Sequence, residues 1–389
     1  MDWVAFNERA LKRMQQEDFA GYDPFDALNS RLLRATPFIR SRFVRLATLQ
    51  LVKRSPINLR SILCVPPDRN SKGVALVVLG LLYDFRRSGV ASLLDLAVDL
   101  GNWLITQSCD EAVWSGKCWG YNFDWQARAF FVPKGKPNII STVYVSKALF
   151  ALGVETGDER FTDAAVSASR FITKHLLIER SSGSFFSYIP GERLLVHNAS
   201  LWGAACCAHA FRVLGDMQLS TIVSAVVDTS LNAQRTDGAW VYGEAPFHQF
   251  VDGFHTGYNL EALDEVGGIL QSSAIQRAVR LGAAYYYDHF FEGDGKVKYY
   301  DTEAFPVDMH SVAQALILMS HPSEVFHATI DRKVLIGRVL HWVEFNMCND
   351  DLDGFYYQRT RYYTNKTRYI RWTQAWMYYA LARLNFYGW

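Results

Sequence analysis

His255 and His310 stand 55 positions apart, close behind Asp252 and Asp308 respectively, and each leads into a long apolar run. Imidazole is the side chain whose unperturbed pKa lies nearest neutrality, so two histidines in matching places suit the removal of a proton and its return. Tyr258, one helical turn past His255, is a third group able to carry a proton. Carboxylates offer a different chemistry. Glu244, Asp252, Asp308, Glu303 and Asp124 supply several pairs that could flank a glycosidic bond, and nothing in the sequence selects one. The ordinary readings stand beside these. An aspartate just before an apolar run most often caps a helix, and a histidine near a helix start serves packing as readily as chemistry.

Around these groups lie the side chains expected to hold a substrate. Asn138, His197, Asn198, Arg371 and Trp372 fall at the starts of apolar runs. Trp119, Tyr121, Asp124, Arg128, Tyr188, Trp240, Tyr242 and Glu303 fall in the loops before them. Aromatic residues make up 14% of the chain, with 20 Tyr and 11 Trp, and many occupy loops instead of apolar helix faces. Aromatic faces covering a sugar ring, with amides, carboxylates and arginine for its hydroxyls, compose a saccharide cleft. Packing between repeated units would place aromatic residues in the same slots.

The elements that must position these residues follow from a repeat. A glycine followed by an extended aromatic segment recurs as Gly116-Lys117-Cys118-Trp119-Gly120-Tyr121, Gly183-Ser184-Phe185-Phe186-Ser187-Tyr188, Gly238-Ala239-Trp240-Val241-Tyr242, Gly295-Lys296-Val297-Lys298-Tyr299-Tyr300 and Gly354-Phe355-Tyr356-Tyr357. From the second glycine to the fifth the steps are 55, 57 and 59 residues. After each segment comes a nearly all-apolar helix: Asn138 to Leu152, His197 to Leu214, Asp252 to Val266, Asp308 to Met319 and Arg371 to Leu384. An amphipathic helix follows each of the first four. An earlier pair reads as Val74 to Tyr83 and Val90 to Thr106. Six inner helices predict an all-α, closed (α/α)6 toroid: one domain over 1–389, with 1–60 closing the ring and the last outer helix drawn from Pro37 to Lys53. Closure is favoured over an open solenoid because the chain ends directly after an inner helix, without a polar cap. The inner-helix starts then share one rim, and their free N–H groups favour an anionic ligand such as an acidic sugar.

Forty Lys+Arg balance 39 Asp+Glu, so bulk charge gives no sign of a nucleic-acid partner. The start of the chain has no basic-then-apolar leader, and the run from Val74 to Tyr83 is about half the ~20 residues of a membrane span. These features predict a cytoplasmic protein with no membrane span and reduced cysteines. Cys206, Cys207 and His209 do not share a helix face and no Cys-x-x-Cys pair exists, so no metal is expected. No phosphate-binding Gly-rich loop and no Gly-x-Ser-x-Gly elbow is present, and no cofactor is called for.

Three further stretches carry a resemblance. They are Tyr22-Asp23-Pro24-Phe25-Asp26-Ala27-Leu28-Asn29-Ser30, Lys53-Arg54-Ser55-Pro56-Ile57-Asn58-Leu59-Arg60, and Trp119-Gly120-Tyr121-Asn122-Phe123-Asp124-Trp125-Gln126. In these, and over nearly its whole length, the chain resembles the VpsJ-type polysaccharide biosynthesis proteins. The resemblance implies a six-hairpin glycosidase-like toroid at work in exopolysaccharide or capsule synthesis. It implies no catalytic residues, and a shared toroid implies no reaction. The leading expectation is acid/base chemistry on a sugar, acidic by preference, in a glycan or its precursor. That means an epimerase or the related uronate lyase, with His255 and His310, helped by Tyr258 or Tyr242, transferring protons and Arg371 and Asn198 steadying negative charge. A glycoside hydrolase is the second reading. A non-catalytic glycan-binding or scaffold protein, partnered by polysaccharide-synthesis proteins, is the third.

Overall fold

The computed structural model of the chain describes residues 1–127, 130–326 and 331–389. Local signals fix its helical hairpins. In α5 (Ile139–Thr156) the Asn138 side chain caps the first turn and Gly157, with φ 72°, ends the helix. Asp158 then caps α6 (Glu159–His175) at once. The next hairpin repeats the device: α7 (His197–Leu214) stops at left-handed Gly215, and Asp216 caps α8 (Met217–Asn232). A glycine that tolerates positive φ, followed by an aspartate that accepts from free N–H groups, reverses the chain in two residues.

The remaining hairpins are α3 (Ser71–Ser88) with α4 (Ala91–Thr106), α9 (Gly253–Leu270) with α10 (Ser273–His289), and α11 (Met309–Met319) with α12 (Arg332–Asn346). The chain ends on a π-helical turn, Ile370–Gln374, that runs into α13 (Ala375–Phe386). Inner helices pack in the cyclic order α3, α5, α7, α9, α11, α13, and α13 returns to α3. Among the described residues the fold is thus a closed (α/α)6 toroid. The approach of α13 to α3 is close enough that a Cβ on Gly80 would lie 2.5 Å from Tyr378 Cε1. α5 is the one described helix long and apolar enough to cross a membrane, but two-thirds of it is buried as an inner helix.

The sixth outer helix differs from expectation. α1 (Trp3–Gln16) packs on α13, with Phe6 against Phe355 and Asn7 Nδ2 donating to the Tyr378 carbonyl at 3.3 Å. Pro37 to Lys53, assigned that place from sequence, instead holds a short 3₁₀ turn and most of α2 (Arg42–Arg54). Leu49 and Val52 of α2 join Ala27 and Leu28 in a small second core, beside Trp125. The reason is compositional: α1 buries Phe6, Ala10, Leu11 and Met14 on one face, whereas α2 buries only Leu49 and Val52.

Candidate functional site

The five aromatic segments run from the core to the rim, and in each the chain bends at the tyrosine or just after it. Ahead of that bend the side chains turn inward: Trp119, Phe186, Trp240, Val297 and Phe355 are all buried in the core. Trp119 Nε1 donates to the Leu104 carbonyl and Trp240 Nε1 to the Ser230 carbonyl, both at 2.8 Å, pinning each segment to the end of an outer helix. Two residues later a tyrosine is offered to the rim. Tyr121, Tyr188, Tyr242 and Tyr299 line a cavity of about 140 Å³, while Tyr357 packs on Tyr369.

The rest of that cavity comes from the inner-helix starts and the N-terminal segment. Ile140, Asn198, Phe254, His255, Tyr258, His310, Arg371 and Trp372 line it, with Phe25, Phe123, Trp125 and Lys72. Asp252 caps α9 by accepting from His255 N at 2.8 Å, and its second oxygen holds His255 Nδ1 at 2.7 Å. One buried carboxylate therefore orients the imidazole and leaves Nε2 for the cavity. His310 is enclosed by Phe254, Trp372 and Trp376. Its Nε2 shares a short hydrogen bond with Tyr258 Oη, and its Nδ1 has no partner among the described residues. Burial, with the nearby charges of Lys72 and Arg371, drives the His310 pKa well down and keeps the ring neutral.

Lys72, at the second position of α3, was not foreseen. Its Nζ donates to Tyr258 Oη at 3.3 Å and lies 4.3 Å from the centroid of Tyr144. Burial, reinforced by Arg371, pushes its pKa well down. Lys72, Tyr258 and His310 thus form one hydrogen-bonded chain across three inner helices. Arg371 is clamped by Asp23, Nε to Oδ2 at 2.5 Å and Nη2 to Oδ1 at 2.8 Å, and stands over the rings of Tyr121, Phe123 and Trp372. Behind it Arg60 ties Asp26 at 2.5 Å to the Asp23 carbonyl and to Tyr369 Oη. The three stretches that carried the resemblance therefore meet at this wall of the cavity.

Several sequence-derived candidates lie elsewhere. Asp308 caps α11 and is wholly occupied: it accepts from His310 N, Trp372 Nε1 and Gln358 Nε2, and burial raises its pKa to about 6. It braces the cavity wall from behind. Glu244 pairs with Arg180 and Leu195 N, and Asp124 with Arg34 and Lys134 N. Glu303 is exposed in its loop. Asn138 is a buried cap for Ser141 N. His197 is buried against Ser230 Oγ at 3.0 Å, where burial lowers its pKa to about 4. Trp119 and Trp240 belong to the core, and Arg128 lies outside the described residues. Among the described residues that line the cavity none is a carboxylate.

A closed helical ring with titratable and aromatic groups gathered on one rim defines the class of fold, the six-hairpin toroid. Solved structures share it. Cellobiose 2-epimerase from Bacillus thermoamylovorans superposes with a TM-score of 0.62 at 13% identity, over 82% of this chain and 87% of that one. A D-mannose isomerase gives 0.58 at 9% over 82% and 86%. An unsaturated glucuronyl hydrolase specific for heparin gives 0.59 at 10% over 82% and 85%. No protein-family profile matches the chain. No curated protein sequence matches it either.

Proposed function

We propose that the protein is a carbohydrate-active enzyme that moves a proton on a sugar carbon next to a carbonyl or carboxylate, with epimerisation as the outcome. The observation that carries this reading is the pairing of two histidines on the cavity with the absence of any carboxylate among its described lining residues. His255, backed by Asp252, takes the proton. The electron pair left on carbon spreads to the neighbouring oxygen, where Arg371 and Asn198 meet it. The His310–Tyr258–Lys72 chain delivers a proton to the carbon, and reversal of the two roles runs the reaction backward. At about 140 Å³ the cavity is smaller than the roughly 300–1,000 Å³ of drug-sized sites, which fits one sugar unit. Epimerases, an isomerase and a hydrolase share the fold, which supports carbohydrate chemistry and leaves the choice among reactions to the cavity. The resemblance to VpsJ-type proteins supports a place in polysaccharide biosynthesis.

A hydrolase needs two carboxyl groups flanking the bond it breaks. Asp252 and Asp308 face away behind His255 and Trp372, and Glu244 and Asp124 are held in ion pairs. The test is incubation with a panel of uronic acids and reducing hexoses in deuterated water. Deuterium should enter the recovered sugar at one carbon, and His255→Asn and His310→Gln should each slow entry by about 10²- to 10⁴-fold. An unsaturated product would assign elimination at the same site. New reducing ends without deuterium, or exchange that persists in both variants, would overturn the reading.

A further inference from the structure

A net charge of +1 conceals a strong local imbalance. From Ala27 to Pro67 there are eight Lys and Arg and no Asp or Glu, so the rest of the chain carries −7. The same stretch bears large apolar side chains on its outside: Phe38, Phe43, Leu51, Ile57 and Ile62 are each more than 60% exposed. On α2 the outward stripe repeats at helical spacing. Phe43, Ala47 and Leu51 follow at four-residue steps, with Arg54 one turn further, while Leu49 and Val52 face the small core. Arg31, Arg40 and Arg54 are exposed and form no ion pair among the described residues.

A second element continues this surface. The hairpin tip Thr360-Arg361-Tyr362-Tyr363 is fastened to the end of α2, with Tyr363 Oη donating to the Arg54 carbonyl at 2.8 Å and Asn365 Nδ2 to the Ser55 carbonyl at 2.9 Å. Tyr362 at that tip is 87% exposed. Arginines interleaved with Phe, Leu, Ile and Tyr are the composition of a surface that sits in a lipid headgroup layer: apolar groups reach the acyl boundary, tyrosines stay at the headgroups, and guanidiniums pair with phosphates. A soluble acidic partner would account for the arginines alone. A second copy of the same surface would meet its own positive charge.

We infer that Ala27–Pro67, with the Thr360–Tyr363 tip, docks the protein on an anionic lipid bilayer. Docking brings the cavity close to the membrane, because Lys53 of α2 stands 4.5 Å from the ring of Phe25 and 5.9 Å from that of Trp372, both cavity walls. The test is flotation of the full chain with vesicles of pure phosphatidylcholine and with vesicles containing ~30% phosphatidylglycerol, at ionic strengths around 0.1 M where surface charge is still felt. The protein should float with the anionic vesicles, stay behind with the neutral ones, and detach as salt rises. Phe43→Glu with Leu51→Glu should lower partitioning at least ~10-fold, as should Arg31→Glu, Arg40→Glu and Arg54→Glu combined. All five positions are solvent-facing, so unchanged circular dichroism and melting should confirm that the variants fold. No flotation of the wild-type protein would overturn the inference. So would binding that survives the Phe43 and Leu51 changes and is matched by soluble heparin, since that marks an acidic polymer. A dimer dispersed by Phe43→Glu would also overturn it, assigning the surface to a second copy.

Discussion

Asp252 serves two purposes through its two oxygens, one on His255 N and the other on His255 Nδ1. Asp252→Asn separates them. Asparagine caps a helix about as well as aspartate, so stability should change by less than about 1 kcal/mol. The amide carries no charge to support a protonated imidazole, and its NH₂ would favour the tautomer with the proton on Nε2, so kcat should fall by about 10²- to 10⁴-fold with KM nearly unchanged. Steady-state kinetics on the sugar that takes up deuterium checks this; an equal fall in a thermal melt would instead make Asp252 a purely structural cap. At this scale the sequence revealed much of the site, because helix starts and aromatic slots could be aligned across repeats. What it hid is geometric. Trp119 and Trp240 occupy the same segments as Tyr121 and Tyr242, yet they precede the bend at the rim and pack into the core. Lys72 escaped because the first inner helix reads as starting at its apolar run, whereas Asn70 starts it one turn earlier.

Between elements, the seam where α7 meets the end of α8 is held by a histidine that must stay neutral. His197 Nδ1 lies 3.0 Å from Ser230 Oγ in a buried contact, and burial lowers its pKa from 6.5 to about 4. The unfolded chain binds this proton near pH 6.5 and the folded chain only near pH 4. The stabilisation is therefore complete above pH 6.5 and is lost as pH falls through that window, to the extent of about 3 kcal/mol. His197→Gln keeps a partner for Ser230 and removes the titration. Urea denaturation at pH 7 and pH 4 should show the wild type losing about 3 kcal/mol more than the variant between the two, and parallel losses would refute the assignment. His197 reads from sequence as a rim residue because it opens an inner helix in register with His255 and His310. Its ring turns outward, toward the outer helix, and helical register does not specify that rotation.

Over the whole molecule, the toroid is closed by residues more than 300 positions apart. Arg368 pairs with Glu17, Arg371 with Asp23, Arg60 with Tyr369, and the amino terminus with Glu344 at 3.2 Å. The expected closed ring was legible because the repeat length and the number of inner helices can be read from the sequence itself. Which segment closes it was not, since α1 and α2 are both amphipathic and only the competition for the face of α13 separates them. Phe6 decides that competition. It is fully buried and lies 4.9 Å from Phe355, itself anchored where Gln374 receives the Phe355 N–H at 3.0 Å and donates to its carbonyl at 2.8 Å. Phe6→Ala should therefore cost about 3–5 kcal/mol, as much as a large truncation in the middle of a core, despite lying six residues from the chain's start. The loss should appear in urea unfolding followed by tryptophan fluorescence, as a single cooperative transition shifted to lower denaturant. A terminal helix that merely decorates the ring would give a small early transition and leave the main one in place, and that result would show the toroid to be closed by α13 and α3 alone.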